Sequence, residues 1–177
     1  MDVRMLWNDR FTQGLPSLEK PDPFFITMYE QYISTAFPSG GTALDLAAGL
    51  GRHSLYLADR QWQMTAVDIS DVAIEKLQVL NPAIYTHVLD ITDYQFEPSS
   101  FDLIVLYYHF DSSLFKKIFD ALKPRGLFIC KLAVSYNGNP AALQKEELLS
   151  LAADFELIHH TERPVKERGV VEYLGKK

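Results

Sequence analysis

Asp45, Gly49, Gly51, Asp68 and Asp90 are the residues whose types and spacing suit ligand chemistry in this chain. The stretch Asp45-Leu46-Ala47-Ala48-Gly49-Leu50-Gly51-Arg52-His53-Ser54 follows the apolar run Thr42-Ala43-Leu44 and leads into Leu55-Tyr56-Leu57-Ala58. That order predicts a strand, a glycine turn and a helix. Two glycines at alternate positions let the backbone approach a ligand closely, and the helix behind them directs N–H groups into the turn. A phosphate-cradling loop would end in Gly-Lys-Ser/Thr, whereas Gly51 is followed by Arg52-His53, so that loop is excluded. A dinucleotide turn reads G-x-G-x-x-G, and here the third position is Ser54. Asp45 decides the matter further, because a carboxylate at the mouth of the strand repels a pyrophosphate and attracts a cation. S-adenosylmethionine (AdoMet) carries an ammonium and a sulfonium and no phosphate, which matches that acid.

The elements that must position these residues alternate along the chain. A second strand is expected at Gln63–Asp68, with Ser70 as N-cap of a helix Asp71–Leu80 that Pro82 closes. A third strand is expected at Ala83–Leu89, ending at Asp90, and Pro98 argues against a full helix in the connection 92–100. Phe101–Tyr107 is an apolar run of the kind a strand buried on both faces shows. Leu114, Phe115, Ile118, Phe119 and Leu122 recur at helical spacing within Ser112–Leu122, and the turn Lys123–Gly126 leads to a fifth strand, Leu127–Val134. A helix Pro140–Ala152 and strands Phe155–Thr161 and Gly169–Leu174 complete the pattern. Strands alternating with helices define an α/β fold, a doubly wound and mostly parallel seven-stranded sheet of Rossmann-like type. Ligands of such sheets bind outside the carboxyl ends of the strands. Asp45 at the first end can therefore receive an ammonium. Asp68 at the second can accept both ribose hydroxyls, and Asp90 at the third the adenine amino group, with the backbone of Ile91 beside it.

The segment ALDLAAGLGRHSLYLADRQWQMTAVDIS resembles the cofactor half of class I AdoMet-dependent methyltransferases, the small tellurite-resistance-type and related stand-alone enzymes among them. The likeness rests on an acid, three residues, G-x-G, and a second strand ending in Val67-Asp68, and it covers residues 42–134 best. Ala47 and Ala48 stand where that family most often has glycine and cysteine. The resemblance implies AdoMet as cofactor, a last strand running antiparallel beside the fifth, and Ala47, Gly49, Gly51, Arg52 and Ile69 as cofactor-lining residues. It also implies that Tyr107 offers its backbone carbonyl to the ammonium, and that Tyr108 and His109 line the acceptor pocket as candidate catalytic residues. His109 either orients or deprotonates an acceptor, or packs in the aromatic cluster above Ser112–Leu122. His53 is expected to pack or cap the turn.

The rest of the sequence bounds the partners. The 177 residues fit one domain, read as an N-terminal segment 1–41 and a Rossmann-like core 42–177. Phe24, Phe25, Met28, Tyr32 and Ile33 follow Pro21-Asp22-Pro23 at helical spacing, and Trp7 and Phe11 stand ahead of them. This segment is either a lid of the kind class I enzymes fold over the cofactor, or a packing arm. With 17 Lys+Arg against 23 Asp+Glu the net charge is −6, so no nucleic-acid partner is expected. No apolar run has the ~20 residues of a membrane helix and no signal-peptide pattern opens the sequence, which points to a cytoplasmic protein with no membrane partner. The single cysteine, Cys130, reads as a buried strand residue, and His159-His160 on one strand face opposite ways, so no metal site is expected. The expected activity is methyl transfer to a small-molecule nucleophile by in-line displacement. The alternative is a non-catalytic or regulatory protein that binds AdoMet or S-adenosylhomocysteine on the same fold.

Overall fold

The computed structural model of the protein describes residues 2–177. Seven strands, β1 (Thr42–Leu46), β2 (Gln63–Asp68), β3 (Tyr85–Val88), β4 (Phe101–Tyr107), β5 (Leu122–Val134), β6 (Glu156–Val165) and β7 (Arg168–Lys176), form one sheet. Its order is β3-β2-β1-β4-β5-β7-β6. The pairs β1–β2, β2–β3 and β4–β5 are parallel, and β7 runs antiparallel between β5 and β6. The mixed, mostly parallel sheet expected from the sequence is thus present, with its last strand antiparallel beside the fifth. The chain divides into two compact units, Met1–Gln95 and Phe96–Lys177.

The first unit holds β1–β3 and the helices α1 (Val3–Gln13), α2 (Pro23–Met28), α3 (Ser34–Ala36), α4 (Arg52–Ala58) and α5 (Asp71–Leu80), with a π-helical turn Tyr29–Ile33 joining α2 to α3. The helix expected from the aromatic spacing of residues 24–33 therefore runs on to Ala36. Its start is built by Asp22, whose side chain accepts the Phe24 N–H at 3.0 Å, and by Pro23 at the first helical position. Ser70 caps α5 as expected, accepting the Ala73 N–H at 3.1 Å. One stripe of α5, Ala73, Ile74 and Leu77, is buried. Between β1 and β2 the register aligns Asp45 with Ala66 and Leu46 with Val67, so their carboxyl ends share one edge.

The second unit is a strand-rich layer whose core is a set of rings: Phe128 lies 5.9 Å from Phe115, 5.5 Å from Phe155 and 6.1 Å from Tyr173. The helix α6 (Leu114–Ala121) turns Leu114, Phe115, Ile118 and Ala121 inward. Cys130 is fully buried and free, and burial pushes its thiol far above the ordinary range, so it is inert packing. Lys131 and Glu172 pair at 2.9 Å across β5 and β7 with little exposure.

Two sequence expectations are corrected here. The helix expected over Pro140–Ala152 is reduced to α7 (Leu148–Leu151). Side chains ahead of it satisfy the local backbone instead: Asn139 Oδ1 accepts the Ala141 N–H, Gln144 Nε2 donates to the carbonyls of Asn139 and Ala142, and Glu147 accepts the Gln144 N–H. The fifth and sixth strands are longer than expected: β5 begins at Leu122, paired with Phe101 ahead of a register shift, and absorbs the expected turn Lys123–Gly126, while β6 runs along β7 to Val165. The start of the N-terminal segment, polar and without a clear apolar stripe, is helical as α1.

Candidate functional site

The first unit gathers the acidic strand ends around the glycine turn. Asp45 is 2 % exposed at the end of β1, and the Ser54 hydroxyl donates to its Oδ2 at 2.7 Å. Burial pushes the Asp45 carboxyl up to about 7, against the lowering effect of the Ser54 hydrogen bond and the Arg52 charge. A buried carboxylate of this kind is the chemistry a cation needs. It repels a pyrophosphate for the same reason.

Asp68, 6 % exposed at the end of β2, laces two turns together. Its Oδ2 accepts the Gly49 N–H at 2.7 Å and its Oδ1 the Ser70 N–H at 2.8 Å. These backbone donors fix the plane of the carboxylate at the strand mouth. Asp90 caps its own turn: its Oδ1 accepts the Thr92 N–H at 2.9 Å and the Thr92 hydroxyl at 2.8 Å, and Ile91 beside it is buried. Ile69, between Asp68 and the cap Ser70, is partly exposed, as are Ala47 and Arg52. The Arg52 guanidinium donates to the Lys20 carbonyl at 3.3 Å.

The turn itself holds left-handed backbone at Ala47 (φ 55°), Gly49 (φ 56°) and Gly51 (φ 75°). At Ala47, where glycine is free of penalty, the side chain costs about 1–2 kcal/mol. The two glycines serve different neighbours. A Cβ on Gly49 would meet the Phe11 ring at 3.1 Å, and one on Gly51 would run into the Leu77 side chain of α5. Gly51 is thus a packing glycine between turn and helix, while Gly49 is covered by α1. His53 is buried, lies 4.5 Å from the Phe25 ring, and accepts the Asp22 N–H at 3.2 Å through Nε2, tying α2 to the turn.

Sequence reasoning missed how α1 is held over this site. Asn8 donates to Asp71 Oδ1 at 2.5 Å and accepts from the Ser70 hydroxyl at 2.6 Å. Lys76 donates to the Phe11 carbonyl at 2.6 Å. The Asn8 hydrogen bond also draws the Asp71 carboxyl below its usual range. Phe11 is 3 % exposed and stacks on Trp7 at 5.6 Å. The signal available in the sequence was only a pair of aromatics in a polar stretch.

In the second unit, the end of β4 carries Tyr107, Tyr108 and His109. Tyr107 is buried, and its ring meets that of Tyr108 edge-on at 6.2 Å. Tyr108 is 44 % exposed, stands in left-handed backbone (φ 55°), and its N–H donates to the Lys131 carbonyl at 2.8 Å. A bulky residue in that region is a conformational outlier, and such outliers cluster at functional sites. Asp111 follows; hydrogen bonds from Ser113, with a smaller pull from His109, hold its carboxyl below the usual range. Among the described residues, no group of three or more His, Cys, Asp or Glu gathers to hold a metal ion. No helix among them is long and apolar enough to cross a membrane.

Comparison with known proteins matches the geometry. Residues 43–126 match the family described as a methyltransferase domain. The Bacillus subtilis protein YqeM, which carries a provisional methyltransferase name, is 26 % identical over 123 residues, 61 % of this chain; the chain spans about half, 49 %, of that relative's length. Two solved structures share the fold. The N-methyltransferase NodS of Bradyrhizobium japonicum, in complex with S-adenosylhomocysteine, aligns over 100 % of this chain and 99 % of its own at TM-score 0.74 and 14 % identity. TehB of Haemophilus influenzae aligns over 97 % of this chain and 67 % of its own at TM-score 0.73 and 20 % identity. Residues 43–126 thus match a methyltransferase domain, and the fold is the one shared by these solved methyltransferase structures.

If Asp45 receives the cofactor's ammonium, it does so only when ionised, and cofactor affinity then has a defined pH dependence. Below about pH 7 the carboxyl is protonated, an ammonium would have to displace that proton, and affinity would fall as pH falls. The folded-state value lies above the ordinary carboxyl value of 3.8. Asp45 therefore favours the ligand-free fold most below that value and progressively less as pH rises to about 7. A bound cation offsets that loss. S-adenosylhomocysteine is expected to raise the melting temperature more at pH 8 than at pH 6, and an equal rise at both would remove Asp45 from the binding site.

Proposed function

We propose that this chain moves the methyl group of AdoMet to a small-molecule nucleophile. The observation that carries this reading is the buried, cation-seeking Asp45 beside a glycine turn that Asp68 clamps through the Gly49 amide. When bound, AdoMet supplies an electrophilic methyl on a sulfonium, already activated for in-line displacement. The chain's own task is then to orient and to exclude water. Asp45 holds the α-ammonium. Asp68 accepts from the ribose hydroxyls. Asp90 and the backbone of Ile91 take the adenine edge, with Ala47, Gly49, Gly51, Arg52 and Ile69 lining the ligand.

Tyr108 and His109 orient the acceptor or take its proton, a task needed only where the acceptor is protonated at working pH. The strained backbone of Tyr108 supports this reading. The reading takes the chain as one cytoplasmic methyltransferase domain acting on a small acceptor. The tellurite-resistance-type character of the cofactor half is in keeping with the likeness to TehB.

The test is transfer of labelled methyl from AdoMet to a panel of thiol, amine and oxyanion acceptors. Label on one acceptor class supports the reading, and binding of AdoMet with no transfer to any class supports the non-catalytic alternative. Tyr108→Phe and His109→Ala are expected to lower turnover on the acceptor found while changing cofactor affinity by about twofold or less, the pattern of groups acting in the transition state. Unchanged turnover in both variants would take them out of the acceptor site.

A further inference from the structure

Ser54 occupies the position where a dinucleotide turn has its third glycine, and it is 0 % exposed. Alanine or glycine would satisfy packing there. A buried hydroxyl without an acceptor costs about 1–3 kcal/mol, so a serine at this depth demands a partner. Its partner is Asp45: the hydroxyl donates to Oδ2 at 2.7 Å, and the Ser54 amide acts on the same carboxylate. Two charged groups face that carboxylate besides. Arg52, two residues earlier on α4, favours its ionised form, and Asp68 at the end of β2 opposes it.

We propose that Ser54 is the positioning residue for the amino-acid end of the cofactor, holding Asp45 in the ionised state and in the one orientation that receives an α-ammonium. The proposal rests on Asp45 receiving that ammonium, as argued under the proposed function. A serine hydroxyl that donates to a carboxylate stabilises its charged form, so removing it raises the carboxyl's proton affinity. Ser54 thus sets the pH at which the site accepts its ligand. It explains in chemical terms why this turn departs from a dinucleotide turn at its third position.

The test compares two ligands that share the adenosine and the sulfur. S-adenosylhomocysteine carries the ammonium, and 5′-methylthioadenosine lacks the whole amino-acid end. Calorimetric titrations of the full chain and of Ser54→Ala are run at pH 6, 7 and 8.5. A rise of about one unit in the titration midpoint from near 7 cuts the ionised fraction from a half to a tenth, so S-adenosylhomocysteine affinity falls about fivefold at pH 7. The deficit shrinks towards none at pH 8.5, and 5′-methylthioadenosine affinity stays within about twofold throughout. Ser54→Cys, which keeps the volume with a weaker donor, is expected to show the same pattern with a smaller shift, and serves if the alanine variant fails to fold.

Equal losses for both ligands, a loss independent of pH, or no loss would each overturn the proposal. Asp45→Asn separates the two levels of the argument. If it weakens S-adenosylhomocysteine while Ser54→Ala does not, only the role of Ser54 fails. If Asp45→Asn has no effect, the ammonium reading fails and the proposal falls with it.

Discussion

Replacing Asp68 with alanine is expected to cost about 2–4 kcal/mol of AdoMet binding, the worth of two hydrogen bonds to a charged acceptor. That is a loss of roughly thirty- to several-hundred-fold in affinity. The residue ends β2, so the sheet survives, but the structure adds a second consequence. The Gly49 and Ser70 amides both donate to this carboxylate, at 2.7 and 2.8 Å, and alanine takes that acceptor from both. A lower melting temperature is therefore expected together with the weaker binding. Asp68→Asn separates the two effects, since it keeps the size and one acceptor oxygen while turning a donor towards one of the amides. It is expected to bind AdoMet weakly too. Calorimetry reads the affinity and a thermal melt the fold, and unchanged affinity in both variants would remove Asp68 from the site.

Gly49→Val is expected to abolish AdoMet binding while the far-ultraviolet circular dichroism stays that of a folded protein. Gly49 has φ 56°, where an L residue costs about 1–2 kcal/mol and a β-branched one is a gross outlier. Its Cβ would also press on Phe11 at 3.1 Å, and α1 has little room to yield, since Asn8 is bonded to Ser70 and Asp71 and Lys76 holds the Phe11 carbonyl. The distortion falls on the turn and on the Gly49 amide that Asp68 grips. Gly51→Val is the contrasting case: its side chain would run into Leu77 in the buried stripe of α5. That variant is expected to lose stability first. A Gly49→Val protein with normal affinity would show the turn to be structural only.

Much of this architecture was legible because local chemistry agreed with the global fold. The Ser70 cap and the apolar stripe after it defined Asp71–Leu80 to the residue, and the run Phe101–Tyr107 is the strand it reads as. The acids at the strand ends followed from the same pattern. What stayed hidden depends on contacts distant in sequence. The helix α1 has almost no apolar stripe and is held by Asn8 and Lys76, whose partners lie more than sixty residues away. The segment 140–147 carries helical residue types, yet Asn139, Gln144 and Glu147 spend their side chains on the backbone. The bond from Ser54 to Asp45 joins a helix to a strand end across a turn, and only the folded turn reveals it.

The central claim is that this turn is built for AdoMet chemistry and not for a pyrophosphate cofactor. Side-by-side calorimetric titration of the full chain with S-adenosylhomocysteine and with NAD tests it most directly. The account predicts saturable one-site binding of S-adenosylhomocysteine that is lost or greatly weakened in Asp68→Ala, and no heat from NAD. Saturable binding of NAD with none of S-adenosylhomocysteine would contradict it.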